Sequence, residues 1–291
     1  MGLLYALEGL RTPLLDKVMA VITLLGGELF FMVIAVGAFW CVSKRMGYYL
    51  MTVGFFGTVI NQFLKILCCV PRPWVKDPGF TIVESARADA TGYSFPSGHT
   101  QNAAAVLGCP ARMARKKGLK ITLWVLYALV GISRMYLGVH TPYDVGVGVV
   151  MGLVLVFGLY PFFSEKNYKP QRMYVLLGVM LALSIAFTTY TRLYPFPADI
   201  EVDNLSHGIK NGYTLTGAVA GMLAAFWLDE HYVHFQTAGS LPAHIVKCVV
   251  GLGLLLGIKT VLKPPMNALF GGDPIADAFR YAIVVFFGAG L

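Results

Sequence analysis

The sequence predicts an all-α fold: a polytopic transmembrane helical bundle of about eight or nine spans. Three observations predict it. Of 291 residues, 57% are hydrophobic and only 13% charged, about half the ~25% charged fraction of soluble domains. Apolar runs recur along the whole length, many approaching the ~20 residues that cross a bilayer. Basic residues cluster in short loops between those runs, which orients the bundle.

Taken in order, residues 13–25 are apolar, but Gly26-Gly27 breaks the run and Glu28 opens the next. A carboxylate in a first helical turn complements the macrodipole. The stretch before the break lies in the interface or belongs to a longer tilted span. Spans are expected at 28–43, 47–69, 98–114, 119–137, 143–163, 173–190, 212–228, 245–262 and 275–290. The opening MGLLYALEGLRTPLLDKV is interrupted by Glu8, Arg11, Asp16 and Lys17. It lacks the basic, apolar and small-residue regions of a signal peptide, so the first span itself is expected to direct insertion.

Lys44-Arg45, then Arg112, Arg115, Lys116, Lys117 and Lys120, then Lys166, Lys169 and Arg172 follow alternate spans. The positive-inside rule puts these loops in the cytoplasm. Loops 70–97, 138–142, 191–211 and 263–274 then face the other side. The net charge of +8 is accounted for by membrane orientation first and anionic substrates second, with no nucleic-acid partner. We expect a single membrane domain, 1–291, with a core at 45–165 that carries the polar motifs and additional helices at 173–291.

Three clusters of polar residues interrupt the apolar pattern, all on the non-cytoplasmic side. In the first, KILCCVPRP, Lys65 and Arg72 are seven residues apart. At ~100° per residue they share a face if the helix persists, before Pro71 and Pro73 end it. Two snorkelling cations are the bland alternative. The second, Pro96-Ser97-Gly98-His99, opens a helix. Ser97 is a natural N-cap, and Gly98 lets a ligand approach free amides of the kind that bind phosphate. Simple capping competes, although it does not require the histidine. The third runs from Ser133-Arg134 to His140-Thr-Pro-Tyr-Asp144. Thr141, Pro142 and Asp144 suit a capping box. Asp144 alternatively accepts from one ring nitrogen of His140, leaving the other free to attack.

Together these residues supply three cations, two histidines, an orienting carboxylate and a helix N-terminus. That is equipment for phosphoryl transfer. Arg72 and Arg134 are suited to grip oxygens in a bidentate fork, with Lys65 as a point charge.

KxxxxxxRP at 65–73, PSGH at 96–99 and SRxxxxxHxxxD at 133–144 resemble the three signatures of the type 2 phosphatidic acid phosphatase family, over residues 45–165. The resemblance implies a helical-bundle core shared in architecture with the vanadium haloperoxidases. It implies that His140 is the nucleophile and forms a phosphohistidine, that Asp144 orients it, and that His99 is the general acid. Lys65, Arg72, Ser97, Gly98 and Arg134 would bind the phosphate. No metal and no cofactor are implied. Expected partners are the bilayer and a lipid phosphate: phosphatidic acid, phosphatidylglycerol phosphate, a sphingoid base phosphate or undecaprenyl diphosphate. A bacterial plasma membrane with the site on its extracytoplasmic face is the expected location. Transfer to a second lipid, or non-catalytic lipid binding or transport, is the alternative.

The remaining polar residues read more plainly. Asp229-Glu230-His231 and His234 read as a solvated loop in preference to a metal site. Asp77, Glu84, Arg87 and Asp89 read as solvated loop charges or as an entrance lining. Gly217 and Gly221 form a small-xxx-small pattern for helix packing or a homodimer. Cys41, Cys68, Cys69, Cys109 and Cys248 read as small core residues.

Overall fold

A computed structural model describes residues 1–197 and 201–290. Positions 198–200 of the expected loop 191–211, and Leu291 at the end of the expected additional segment, lie outside them. The described residues form helices and connections, with no strand. The helices are α1 (Gly2–Glu8), α2 (Pro13–Leu24), α3 (Glu28–Cys41), α4 (Lys44–Cys68), α5 (Pro73–Lys76), α6 (Gly98–Ala103), α7 (Cys109–Met113), α8 (Lys117–Tyr136), α9 (Pro142–Leu159), α10 (Pro170–Leu193), α11 (Val202–Leu228), α12 (Leu241–Val261), α13 (Lys263–Leu269) and α14 (Ile275–Gly290). A wide π turn at Ala104–Gly108 joins α6 to α7.

The protein is an integral membrane protein. Among the described residues, five helical stretches are long and apolar enough to cross a bilayer, or six if α2 and α3, bent by 44° at Gly26-Gly27, count as one. The sequence predicts eight or nine. Three expected spans make the difference. The stretch at 98–114 is divided by the π turn, α14 has 16 residues, and Gly, Thr and Asn dilute the hydropathy of α11.

The chain forms two compact units. The first comprises Met1–Ile34 and Tyr49–Pro161. Here α8 packs against α1, α2, α6 and α9. Close approach rests on missing side chains. A Cβ on Gly148 would lie 3.0 Å from the Ser97 carbonyl oxygen, and one on Gly152 would lie 2.5 Å from Ala104 Cβ. The N-terminal segment is strapped down by Arg11, which donates to the Tyr136 carbonyl at 3.1 Å and the Thr81 carbonyl at 3.0 Å. Tyr136 in turn donates to Asp16 at 2.7 Å. Leu4 is buried with Phe80 and Ile82.

The second unit comprises Ala35–Tyr48 and Phe162–Leu291. Its centre is α11 packed on α14 and α10. The Gly217–Gly221 pattern is filled from within the chain: a Cβ at those positions would lie 1.9 Å and 2.2 Å from the carbonyl oxygens of Ala278 and Ala282. Residues 229–233 are not the expected solvated loop. They continue α11 as a π turn, with Asp229 buried. Its carboxylate accepts from Lys44 Nζ at 2.5 Å and from the Phe235 amide at 2.7 Å.

The cysteine expectation also needs correction. Cys109 is buried, but Cys68 and Cys69 are exposed, because α4 ends there and Cys69 adopts a left-handed conformation at φ 46°. Cys41 and Cys248 are half-buried, with sulfurs 3.5 Å apart.

Candidate active site

The residues of all three motifs lie in the first unit. Ser97 caps α6 as its position predicts, accepting from the Thr100 amide at 3.4 Å and from the Thr100 hydroxyl at 2.9 Å. Its own amide donates to the Asp144 carbonyl at 3.0 Å, which fixes the mouth of α6 against the first turn of α9. Around Gly98 there is room: an added Cβ would meet only Asn61 Oδ1, at 3.7 Å. His99, in the first turn, is half-buried.

Lys65 and Arg72 converge although the helix does not persist between them. Lys65, in the last turn of α4, donates to the Tyr93 carbonyl. Arg72 comes from the connection beyond and donates to the carbonyls of Gly92 and Val139 at 2.9 Å and of Thr91 at 2.6 Å. Its Nη1 also lies 3.0 Å from His140 Nε2. Four of its five N–H donors are therefore engaged, which leaves little of the expected bidentate fork. Arg134 differs. It is fully buried, Nη1 donates to Thr23 Oγ1 at 2.8 Å, and Nε and Nη2 have no hydrogen-bond partner.

The capping reading of Asp144 holds, and its carboxylate also faces His140, without a hydrogen bond to the ring. Asp144 completes a capping box with Thr141, and its Oδ2 lies 3.5 Å from His140 Nδ1. That separation is long for a hydrogen bond, and His140 Nδ1 has no hydrogen-bond partner. Oδ2 also accepts from Ser94 Oγ at 2.6 Å and the Thr141 amide at 2.7 Å. His140 sits in the connection between α8 and α9. Burial, followed by the charges of Arg72, Arg134, Lys65 and the nearby His99, holds its ring well below the ordinary histidine value.

Three supporting residues escape the motif reading. Ser94 lies only two residues before Pro96. Asn61, a buried amide one turn before Lys65, donates to the Pro96 carbonyl at 3.2 Å. A polar residue inside an apolar helix is a signal for it. Thr23 carries none. Among the described residues, no three His, Cys, Asp or Glu side chains gather as a metal-binding group.

A buried basic cluster held at the ends of membrane helices marks out a class of helical membrane protein. Comparison with known proteins makes the class specific: this chain belongs to the PAP2 superfamily. The superfamily profile matches residues 43–168, and that of the PAP2 superfamily phosphatase transmembrane extension matches residues 213–291. Phosphatidylglycerophosphatase B of Bacillus subtilis is 34% identical over 172 residues, covering 54% of this chain and 79% of its own. Undecaprenyl-diphosphatase BcrC of the same organism is 33% identical over 120 residues, covering 41% and 59%. Dihydrosphingosine 1-phosphate phosphatase YSR3 of Saccharomyces cerevisiae is 23% identical over 239 residues, covering 76% and 55%. The chain thus spans most of the first relative but under two thirds of the other two. No solved structure matches it significantly.

Proposed function

We propose that the protein is a lipid phosphate phosphatase that hydrolyses a phosphomonoester or diphosphate lipid through a phosphohistidine, without a metal. One observation carries the reading. Lys65, Arg72 and Arg134 are 8%, 6% and 0% exposed, three cations with two carboxylates acting on them, Asp144 on Lys65 and Arg72 and Asp89 on Arg134. Buried charge of one sign is costly unless a counter-charge joins it. A phosphate dianion supplies that charge, and the relatives' names point to phosphorylated lipids.

In this reading the His140 Nε2 lone pair attacks phosphorus while the bond to the leaving oxygen breaks. His99 gives that oxygen its proton. Water then loses a proton to His99 and attacks phosphorus. The P–N bond breaks, and Nε2 regains its lone pair as phosphate leaves. Asp144 holds Nδ1, and the cations and the mouth of α6 hold the equatorial oxygens, where charge develops. Residues 45–165 form the catalytic core and 173–291 the additional helices.

The alternation of basic loops supports a site on the extracytoplasmic face of a bacterial plasma membrane, and counting α11, α14 and the divided helix at 98–113 restores nine spans. A homodimer would have to use a face other than Gly217–Gly221, which α14 covers.

Phosphate release by purified protein in detergent with EDTA tests the proposal. Phosphatidic acid, phosphatidylglycerol phosphate, a sphingoid base phosphate and undecaprenyl diphosphate would be offered side by side, with His140→Ala as control. Release by the wild type and not by the variant is expected. Strict magnesium dependence, or equal release by both, would overturn it.

A further inference from the structure

The phosphate site has one wall that no motif supplies: the junction of α2 and α3, which precedes the residues matched by the superfamily profile. Thr23 lies in the last turn of α2 and is 4% exposed. Its hydroxyl accepts from Arg134 Nη1 at 2.8 Å. Three residues on, Gly26 presses on the main chain of His99, where a Cβ would stand 2.4 Å from the carbonyl oxygen. The junction therefore touches two of the residues on which the proposed reaction depends.

A guanidinium is a planar fork. Its Nε–H and one Nη2–H run parallel along one edge, and Nη1 stands away from that edge. In Arg134, Nη1 is held while Nε and Nη2 are buried without hydrogen-bond partners. Arg134 is also close enough to bear electrostatically on the His140 ring. Buried donors are nearly always satisfied, and two parallel ones match two oxygens of a phosphate.

We infer that Thr23 is a positioning residue. By fixing Nη1 it turns the Nε/Nη2 edge of Arg134 toward the substrate phosphate. The inference rests on the phosphatase reading for its substrate, but the contact can be read without turnover. The Thr23 methyl packs, whereas its hydroxyl orients, and substitution separates the two.

The experiment uses the full chain in detergent. Phosphate release and heat protection by orthovanadate are measured for wild type, Thr23→Val, Thr23→Ser, Arg134→Lys and the Thr23→Val/Arg134→Lys double variant. Loss of a hydrogen bond to a charged group should lower kcat/KM and weaken vanadate protection in Thr23→Val by about tenfold or more. Thr23→Ser should recover most of that loss. Lysine has no parallel edge, so in the Arg134→Lys background the valine should change either readout by no more than about twofold. If Thr23→Val does not fold, Thr23→Ala against Thr23→Ser gives the same comparison.

Full activity in Thr23→Val would overturn the assignment. So would equal impairment of the valine and serine variants, or the same fold-loss with and without Arg134. A wild type that binds vanadate but hydrolyses no lipid would sink the phosphatase reading and leave the Thr23 comparison intact. A wild type that does neither would sink both.

Discussion

Arg72 Nη1 lies 3.0 Å from His140 Nε2. A guanidinium only donates, so this contact makes Nε2 the acceptor and assigns the ring proton to Nδ1, on the side of Asp144. The lone pair that the proposed reaction would use is thus already defined, and in that reaction Arg72 would have to release it before a bond to phosphorus forms. The arginine that expectation casts as a phosphate clamp is first a keeper of the tautomer.

The histidine tautomer is directly measurable. Burial and the surrounding cations lower the His140 value, so the unfolded chain takes up this proton before the folded one does. The resulting stability is full above the unfolded value of about 6.5 and is lost as pH falls from there toward the folded value. Nitrogen-15 spectra of histidine-labelled, substrate-free protein should show His140 as a neutral Nδ1–H ring at about pH 6, where a free histidine is mostly cationic. A charged ring at that pH, or an Nε2–H tautomer, would contradict the assignment.

Ser94 donates to Asp144 Oδ2 at 2.6 Å, on the oxygen that faces His140 Nδ1. Ser94→Ala leaves the carboxylate in place but frees it to turn. Hydrogen bonds to charged groups are worth about 1.5–3 kcal/mol, so kcat should fall on the order of tenfold, with a smaller change in KM. A Ser94→Ala enzyme with unaltered kcat would show that the capping box alone holds Asp144.

The legible parts of this molecule are local ones. Ser97 and the Thr141–Asp144 box follow from backbone groups within one helical turn, and Gly26-Gly27 breaks its helix because of its own chemistry. What those glycines pack against is not local. Neither is Thr23, a lone hydroxyl in an apolar helix whose partner is 111 residues away. Asp229 reads as a loop residue because its neighbours are polar, and only folding brings Lys44 to it. Arg72 shows a third limit: spacing places it at the site, but the carbonyls that occupy its donors come from loop 91–92 and from Val139.

Helix packing in the second unit should be sensitive at Gly217 and indifferent at Gly257. A Cβ at Gly217 would lie 1.9 Å from a backbone oxygen, which cannot step aside as a side chain can, while Gly257 has nothing within 4 Å. Gly217→Ala should cost about 1–3 kcal/mol through overpacking. Gly257→Ala, at an exposed site inside α12, should be neutral or gain up to about 1 kcal/mol of helix propensity. Thermal midpoints in one detergent would check both, and equal midpoints would mean that α11 and α14 do not pack at Gly217.

The ion pair of Lys44 and Asp229 should matter through stability alone. Asp229 is 1% exposed and its partner's side chain 23%. Lys44→Met removes the cation and leaves a carboxylate buried, which costs about 3–5 kcal/mol in a closed site. Solvent reaches Lys44, so the low end applies. Asp229→Asn keeps an acceptor for the Phe235 amide, which now donates to Oδ1 at 2.7 Å. Adding it to Lys44→Met should therefore restore part of the lost stability, because no unpaired charge remains. The pair lies in the unit that does not hold His140, so phosphate release per folded molecule should stay unchanged in all three proteins. A double variant less stable than Lys44→Met would show that the charge on Asp229 has a stabilising partner besides Lys44.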